Sequence, residues 1–398
     1  MVLTGKKKFS MRLPYRYDMI IHLCMLILAG FGLFMIPSAS MGQANGNVIR
    51  IMITIVKQLA FVILGYFCMV MMARWFTFDR CRRNMKNIVL GLILLLALAL
   101  CWEVDGARAW IKIPLPGLQI TLQPSEFSKI VIIMIMAVFL GDVKNPNLST
   151  EDLLRNPMVL IGTFIFIVIF FQKDFGTAVI MAGIACFCFL IPSHRSLRKV
   201  QKFLVWGLLL AVLLVGLMLL PQATGVIKNL PFFKEYQINR ILAARNPFTD
   251  RYDSGFQLIN GLISFARGGI SGVGYGNSIQ KYANFKAADT DFILAIVVEE
   301  MGLVGFMIIF LGYGLIIARL LMYAVKMKSE KGKIVLVGVA AHFFIHFAFN
   351  VGGVTGLIPL TGVPLLMISA GGSSTLAIMV SVGMAQAVIS QYRQGKIR

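Results

Sequence analysis

The segment Ala288-Asp289-Thr290-Asp291-Phe292 closes the one long polar loop of the chain. It opens a strongly apolar run that itself carries Glu299 and Glu300. Carboxylates at the mouth of a membrane span, or inside one, are costly to desolvate, so they point first to function. Asp291 falls where a helix should start. The helix dipole and unpaired N–H groups there favour the ionised form, while nearby hydrocarbon raises its pKa. A carboxylate so placed has the chemistry of a general base towards an attacking hydroxyl. The structural alternative is an N-cap, for which Asp289 and Thr290 compete. Glu299 and Glu300 lie about 12 Å further in, at ~1.5 Å rise per residue, too deep to act with Asp291 on one bond. They are expected to pair with buried cations or backbone groups and to shape a cavity.

Other charged residues fall at the ends of apolar runs. Glu126 and Lys129, three apart, share a helix face; the pair either braces that helix or aims Lys129 at a phosphate. Asp174, in Gln172-Lys173-Asp174-Phe175-Gly176-Thr177, occupies a tight turn where capping is the expected role. Arg240, Arg245, Arg251, Lys281 and Lys286 give the long loop a positive field. Such groups stabilise the charge that develops on a departing diphosphate; the alternative is a solvated loop face. His342 and His346 are spaced i,i+4 on a span. No third ligand accompanies them at matching spacing, so packing or hydrogen bonding is expected and no metal site is assigned.

The elements that position these residues follow from composition. The chain is 58% hydrophobic and 14% charged, with a mean hydropathy of +0.81, which excludes a soluble protein. The ~30 Å hydrocarbon core requires about 20 mostly apolar residues per span. Ten candidate runs, at 19–37, 52–73, 88–102, 127–141, 157–172, 177–192, 203–220, 292–318, 334–351 and 364–390, give an all-α polytopic membrane protein. The whole of 1–398 reads as a single integral-membrane domain. A net charge of +21 invites a nucleic-acid reading, but its distribution argues otherwise. With the N- and C-termini cytoplasmic, most Lys and Arg fall on the inner side: in the N-terminal tail, around 80–86, 144–155, 195–202 and 326–333, and in the C-terminal tail. That is the positive-inside pattern. A second basic group lies in the loop 222–291, between spans seven and eight, and needs another reason. The first apolar run is read as an uncleaved anchor. The six cysteines form neither a disulfide framework nor a zinc spacing.

Two outer loops stand out. The first, 103–126, ends in Gln123-Pro124-Ser125-Glu126, where Pro124 suits a first helical turn and Ser125 or Gln123 is a candidate cap. The second, 222–291, is too long for an idle connection. Its short apolar stretches at 231–246 and 255–266, mixed with aromatic and basic residues, read as interfacial, or as a small outer subdomain packed on the spans.

Ordered through these elements, the motifs closely resemble the SEDS family (shape, elongation, division and sporulation). They include Gln123-Pro124-Ser125-Glu126 with Lys129; Asp174 with Gly176-Thr177-Ala178; Arg240 with Asn246-Pro247; and Gly255-Phe256-Gln257. Next come Gly272-Val273-Gly274-Tyr275-Gly276-Asn277-Ser278 with Gln280-Lys281, and Thr290-Asp291-Phe292 with Glu299-Glu300. The last are Gly356-Leu357-Ile358-Pro359 with Thr361-Gly362-Val363-Pro364, and Ser369 with Gly371-Gly372-Ser373-Ser374. The resemblance covers nearly the full length. The string around Tyr275, with Ser38-Ala39-Ser40-Met41, is more similar to the FtsW-like division branch than to the RodA-like one. Lys173, Leu366, Ala370 and Ala109 depart from the family's usual residues.

The resemblance implies a glycosyltransferase of the bacterial cytoplasmic membrane, at the division septum, polymerising lipid II into glycan strands. It implies a class B penicillin-binding transpeptidase and divisome membrane proteins as partners, and no nucleic acid. Asp291 takes the place of the family's catalytic carboxylate. The expected chemistry is inverting: Asp291 deprotonates the acceptor GlcNAc 4-hydroxyl, which displaces undecaprenyl diphosphate from the donor MurNAc. Arg240, Lys281 and Lys129 are candidates for steadying the diphosphate, with Glu126, Asp174 and Ser373 as further substrate contacts. The transfer is either metal-assisted or metal-independent: no cofactor is assigned, and a divalent cation (Mg²⁺ or Mn²⁺) is compatible. Two rivals use the same residues: a lipid II flippase, and a non-catalytic scaffold for the transpeptidase.

Overall fold

The computed structural model describes residues 13–44, 47–104, 106–115, 118–218, 235–249, 251, 255–283, 285 and 288–397. Lys286, named above, and residues 231–234 of the first apolar stretch of the long loop lie outside the described residues.

A helix coincides with each of the ten apolar runs. They are α1 (Met19–Ala44), α2 (Val48–Trp75), α3 (Phe78–Ala99), α4 (Ser125–Leu140), α5 (Thr150–Phe166), α6 (Phe175–Phe189) and α7 (Arg198–Met218), then α10 (Ile293–Lys326), α11 (Glu330–Val354) and α12 (Gly372–Arg393). Two shorter helices, α8 (Glu235–Arg245) and α9 (Phe256–Gly268), lie in the long loop. Among the described residues, six helices are long and apolar enough to cross a bilayer, which makes this a multi-pass membrane protein. Helix starts follow short polar side chains: Asn47 accepts from Arg50 N–H, Thr77 from Arg80, Ser149 from Asp152 and Ser329 from Gly332. α5 continues into a π-helical turn over Ile167–Phe171.

The structure departs from an all-helical reading at one place. Residues Ile111–Leu115 and Leu118–Leu122 form an antiparallel hairpin, β1 and β2, with Ile113 opposite Ile120. The last helix also starts later than its apolar run, because 364–371 is irregular chain.

α4, α11 and α12 are buried along most of their length, whereas α7 exposes Phe203, Trp206, Leu209, Val212 and Leu213. Apolar side chains facing outward in this way suit hydrocarbon, which provides no drive to hide them. Close approach of helices relies on small residues instead. A methyl added at Gly65 of α2 would strike Met379 Sδ of α12 at 2.5 Å, and one at Gly372 would meet Phe61. At one end of the bundle, Asp18 draws α1, α10 and α12 together. Its carboxylate accepts from Arg319 (2.5 Å), Tyr323 (2.9 Å) and Arg393 (3.2 Å).

α10 is one helix by hydrogen bonding but two by geometry. Gly302 sits at φ +63°, ψ −154°, a conformation reserved for glycine. The break admits the chain at 269–274: Val273 and Gly274 N–H donate to the Glu299 and Glu300 carbonyls, and Leu303 N–H to that of Gly269.

Candidate functional site

The upper piece of α10 begins just after Asp291. Its N-cap position is Phe292, with no side-chain cap, so neither Asp289, Thr290 nor Asp291 serves as the helix cap that sequence alone left open. Backbone contacts fix the segment instead. Asn350 of α11 donates from its amide to the Asp291 carbonyl (2.8 Å) and to that of Val363 (2.9 Å). Ser369 donates to the Thr290 carbonyl (2.7 Å), and the Ala370 N–H to that of Asp289 (2.8 Å). Among the described residues, no side-chain hydrogen bond engages the Asp291 carboxylate. It stands half-buried against Gly362, where an added methyl would lie 3.3 Å from Oδ2.

Burial raises the Asp291 carboxyl to about 6; Arg240 opposes the rise and Asp289 adds to it. Arg240 of α8 donates to the Leu360 carbonyl (3.1 Å), which holds its guanidinium over the same loop. Asp289 is raised as well, chiefly by burial, against the hydrogen bond from Gln43 (2.9 Å) and the charge of Lys57 on α2. Two carboxylates therefore act on one another here, each under the influence of a cation from a different helix. Such a grouping suits a base poised near neutrality that works beside an anionic leaving group.

The remaining expected residues fall elsewhere. Lys281 is fully buried. It donates to Ser38 Oγ (2.9 Å), the Gly276 carbonyl (2.7 Å) and Glu300 Oε1 (3.0 Å), which uses all three of its N–H bonds. The structure thus corrects its reading as a diphosphate contact. Sequence alone gave the charge and not the direction of the side chain. Glu300 also accepts from Ser38 Oγ (2.6 Å), and Glu299 from Ser278 Oγ (2.6 Å), Ser264 Oγ (3.2 Å), the Ile279 N–H (3.2 Å) and Arg267 (3.4 Å). Both glutamates pair with cations and backbone, as expected, and they pin the glycine-rich loop to α10.

Lys129, also fully buried, donates to Glu126 Oε1 (2.6 Å) and to His346 Nε2 (2.9 Å). The pair braces α4 against α11, so of the two readings open for Lys129 the structure favours the brace. Glu126, His342 and His346 bring one ligand atom each within 4.8 Å of one another, a third ligand that helical spacing alone did not supply. The Lys129 ammonium already neutralises Glu126 there. A divalent ion beside it would leave uncompensated buried charge, which is costly. Asp174 caps α6, accepting from Thr177 N–H (3.0 Å) and Oγ1 (2.7 Å) and from Gln123 Nε2 (2.9 Å). Ser373 is buried and accepts from the Gln123 N–H (2.8 Å), tying β2 to α12. Asp174 thus has the capping role expected from its turn, and burial with these bonds corrects the reading of Ser373 as a substrate contact. Neither Gln123 nor Ser125 caps α4.

Sequence reasoning missed Asn350, Gln43 and Lys57. The signal for Asn350 was present: with His342 and His346 it completes a polar stripe at i, i+4 and i+8 on an otherwise apolar span.

Fold and site together define a polytopic membrane protein with a half-buried carboxylate, Asp291, where a loop enters the helical bundle. The family model FtsW/RodA/SpoVE, described as "Cell cycle protein", matches residues 18–394, and the chain belongs to that family. It is 30% identical over 374 residues to the "Probable peptidoglycan glycosyltransferase FtsW" of Bacillus subtilis (strain 168), covering 92% of this chain and 89% of that one. With the protein of the same description from Geobacter metallireducens it shares 31% over 381 residues, 95% and 96% of the two chains. Among solved structures it matches a chain described under "Structural coordination of polymerization and crosslinking by a peptidoglycan synthase complex". That match has a TM-score of 0.69 and 23% identity, covering 96% of this chain and 99% of that one, and it supports the fold.

Proposed function

We propose that this protein is a peptidoglycan glycosyltransferase that polymerises lipid II at the outer face of the cytoplasmic membrane, for septal wall synthesis during division. The observation that carries the reading is the Asp291 carboxylate. It is half-buried, free of capping duty and held by its backbone beside Arg240. The names of the relatives at about 30% identity point the same way. In this reading ten helices span the membrane with both termini inside, and the loop 222–291 faces outward.

Asp291 accepts the proton of the acceptor GlcNAc 4-hydroxyl as that oxygen attacks the anomeric carbon of the donor MurNAc. Undecaprenyl diphosphate leaves with inversion. Arg240 is the cation placed to steady it, and Lys57 joins it as a second candidate in place of Lys281 and Lys129. The paired carboxylates Asp289 and Asp291 are the residues that would hold a divalent cation, and no step above depends on one. A class B penicillin-binding transpeptidase and divisome membrane proteins are the proposed partners, consistent with the coordinated polymerisation and crosslinking named for the solved complex.

Gel analysis of products from purified protein and lipid II, with and without transpeptidase and Mg²⁺ or Mn²⁺, tests the reading. Removal of a general base costs ~10²–10⁴-fold, so Asp291→Asn is expected to abolish polymer while inserting normally in the membrane. Normal strands from that variant would overturn the assignment of Asp291. Lipid II translocation without polymerisation would replace the enzyme with a flippase.

A further inference from the structure

The irregular chain 361–371 passes beside Asp291, with Gly362 against its carboxylate. Its backbone groups find partners partly within the segment, as Ser369 N–H does at the Leu365 carbonyl (2.9 Å), and partly on other elements. Leu365 N–H donates to Ser369 Oγ (2.8 Å), Ala370 N–H to the Asp289 carbonyl, and the Val363 carbonyl accepts from Asn350. The Pro364 carbonyl has His346, at 3.2 Å from Nδ1. A carbonyl oxygen only accepts, so Nδ1 carries the hydrogen. Nε2 then presents its lone pair to Lys129, 2.9 Å away. Each nitrogen of this fully buried ring thus meets a different element: the irregular chain on one side, the Glu126–Lys129 pair of α4 on the other.

A buried polar ring calls for partners at its nitrogens, and here the two partners sit on separate elements that the ring thereby couples. The spare capacity of the cluster lies away from His346: Glu126 Oε2 and His342 Nε2 are buried without partners among the described residues. One turn further along α11, Asn350 grips Asp291 and Val363 together. Two residues before Pro364, Gly362 stands at φ +70° against Asp291 Oδ2.

We propose that His346 is a positioning residue for Asp291, acting through the Pro364 carbonyl, and that the buried Glu126–Lys129 pair serves to orient its ring. The catalytic consequence rests on the polymerase reading above; the structural link does not. Metal ligands fix their imidazoles in the same way, through what the second nitrogen touches. Here the fixed object is a loop.

Two substitutions separate the contacts without burying an apolar group in the cluster. His346→Asn places an amide nitrogen where Nδ1 stood and keeps the bond to Pro364. His346→Gln reaches Lys129 with its oxygen and abandons Pro364. Hydrogen exchange by mass spectrometry over 363–371, in the purified full chain, reads the link without activity. His346→Gln is expected to exchange several-fold faster there than wild type, with α12 unchanged, and His346→Asn to match wild type. In lipid II polymerisation, His346→Gln should lose roughly 10–100-fold in kcat with little change in KM, the scale of a misplaced catalytic group, and His346→Asn should recover most of it. Wild-type exchange in His346→Gln, or faster exchange in His346→Asn, overturns the proposal. The expected exchange pattern with no polymer from wild type leaves the link standing and removes the polymerase reading instead.

Discussion

Burial makes Asp291 responsive to every charge nearby, because a half-dry carboxyl depends on its neighbours rather than on water. Its carboxyl is raised to about 6, and a base acts only when ionised. The rate with lipid II is therefore expected to fall as pH drops through about 6. Arg240 lowers this carboxyl, so Arg240→Gln should move the acid limb to higher pH. Asp289 raises it, so Asp289→Asn should move the limb lower. A pH–kcat/KM series on the three proteins checks both directions, and coincident curves would sever these residues from the site. Asp291 was legible in the sequence because an acid at the edge of an apolar run has few idle explanations. Lys281 and Lys129 were misdirected for the converse reason. A basic residue advertises attraction for anions in general, and the anion each one meets here is a protein carboxylate buried beside it.

Elements were legible where the bilayer itself dictates length. A helix falls in each of the ten apolar runs, and among the described residues six of these helices are long and apolar enough for ~30 Å of hydrocarbon, which admits little else. The hairpin at 111–122 was invisible, since it stands outside that constraint and contains Pro114 and Pro116, which blur a strand pattern. The attachment of the glycine-rich loop to α10 was equally hidden, because Lys281 and Glu300 meet only after the chain reverses. That attachment is stringent. Both side chains are fully buried, and removing one partner of a buried pair costs about 3–5 kcal/mol. Glu300→Ala is expected to lower the unfolding temperature in detergent and to open 269–283 to proteolysis. Glu300→Gln, which still accepts from Ser38, should suffer less. An intact, protease-resistant loop in Glu300→Ala would show that the glycine turns hold it unaided.

At the scale of the whole molecule, the distribution of charge orients everything else. Single cysteines at Gly276 and Lys199 test it: in intact spheroplasts a membrane-impermeant maleimide should label the first and leave the second until the membrane is breached. The reverse pattern would put Asp291 on the side of the cytosol and end the polymerase reading. Burial alone would raise the Asp18 carboxyl, yet the hydrogen bonds from Arg319, the Ile21 N–H and Tyr323 hold it below the ordinary value, so the Asp18 clamp tightens at neutral pH and slackens in acid. The glycine break at 302 has a mechanical consequence for this architecture. Below it, α10 is tied through Arg319 and Tyr323 to the Asp18 clamp. Above it, the same helix is moored to the glycine-rich loop, so each half answers to its own anchor and the joint at Gly302 lets the two set their angles separately.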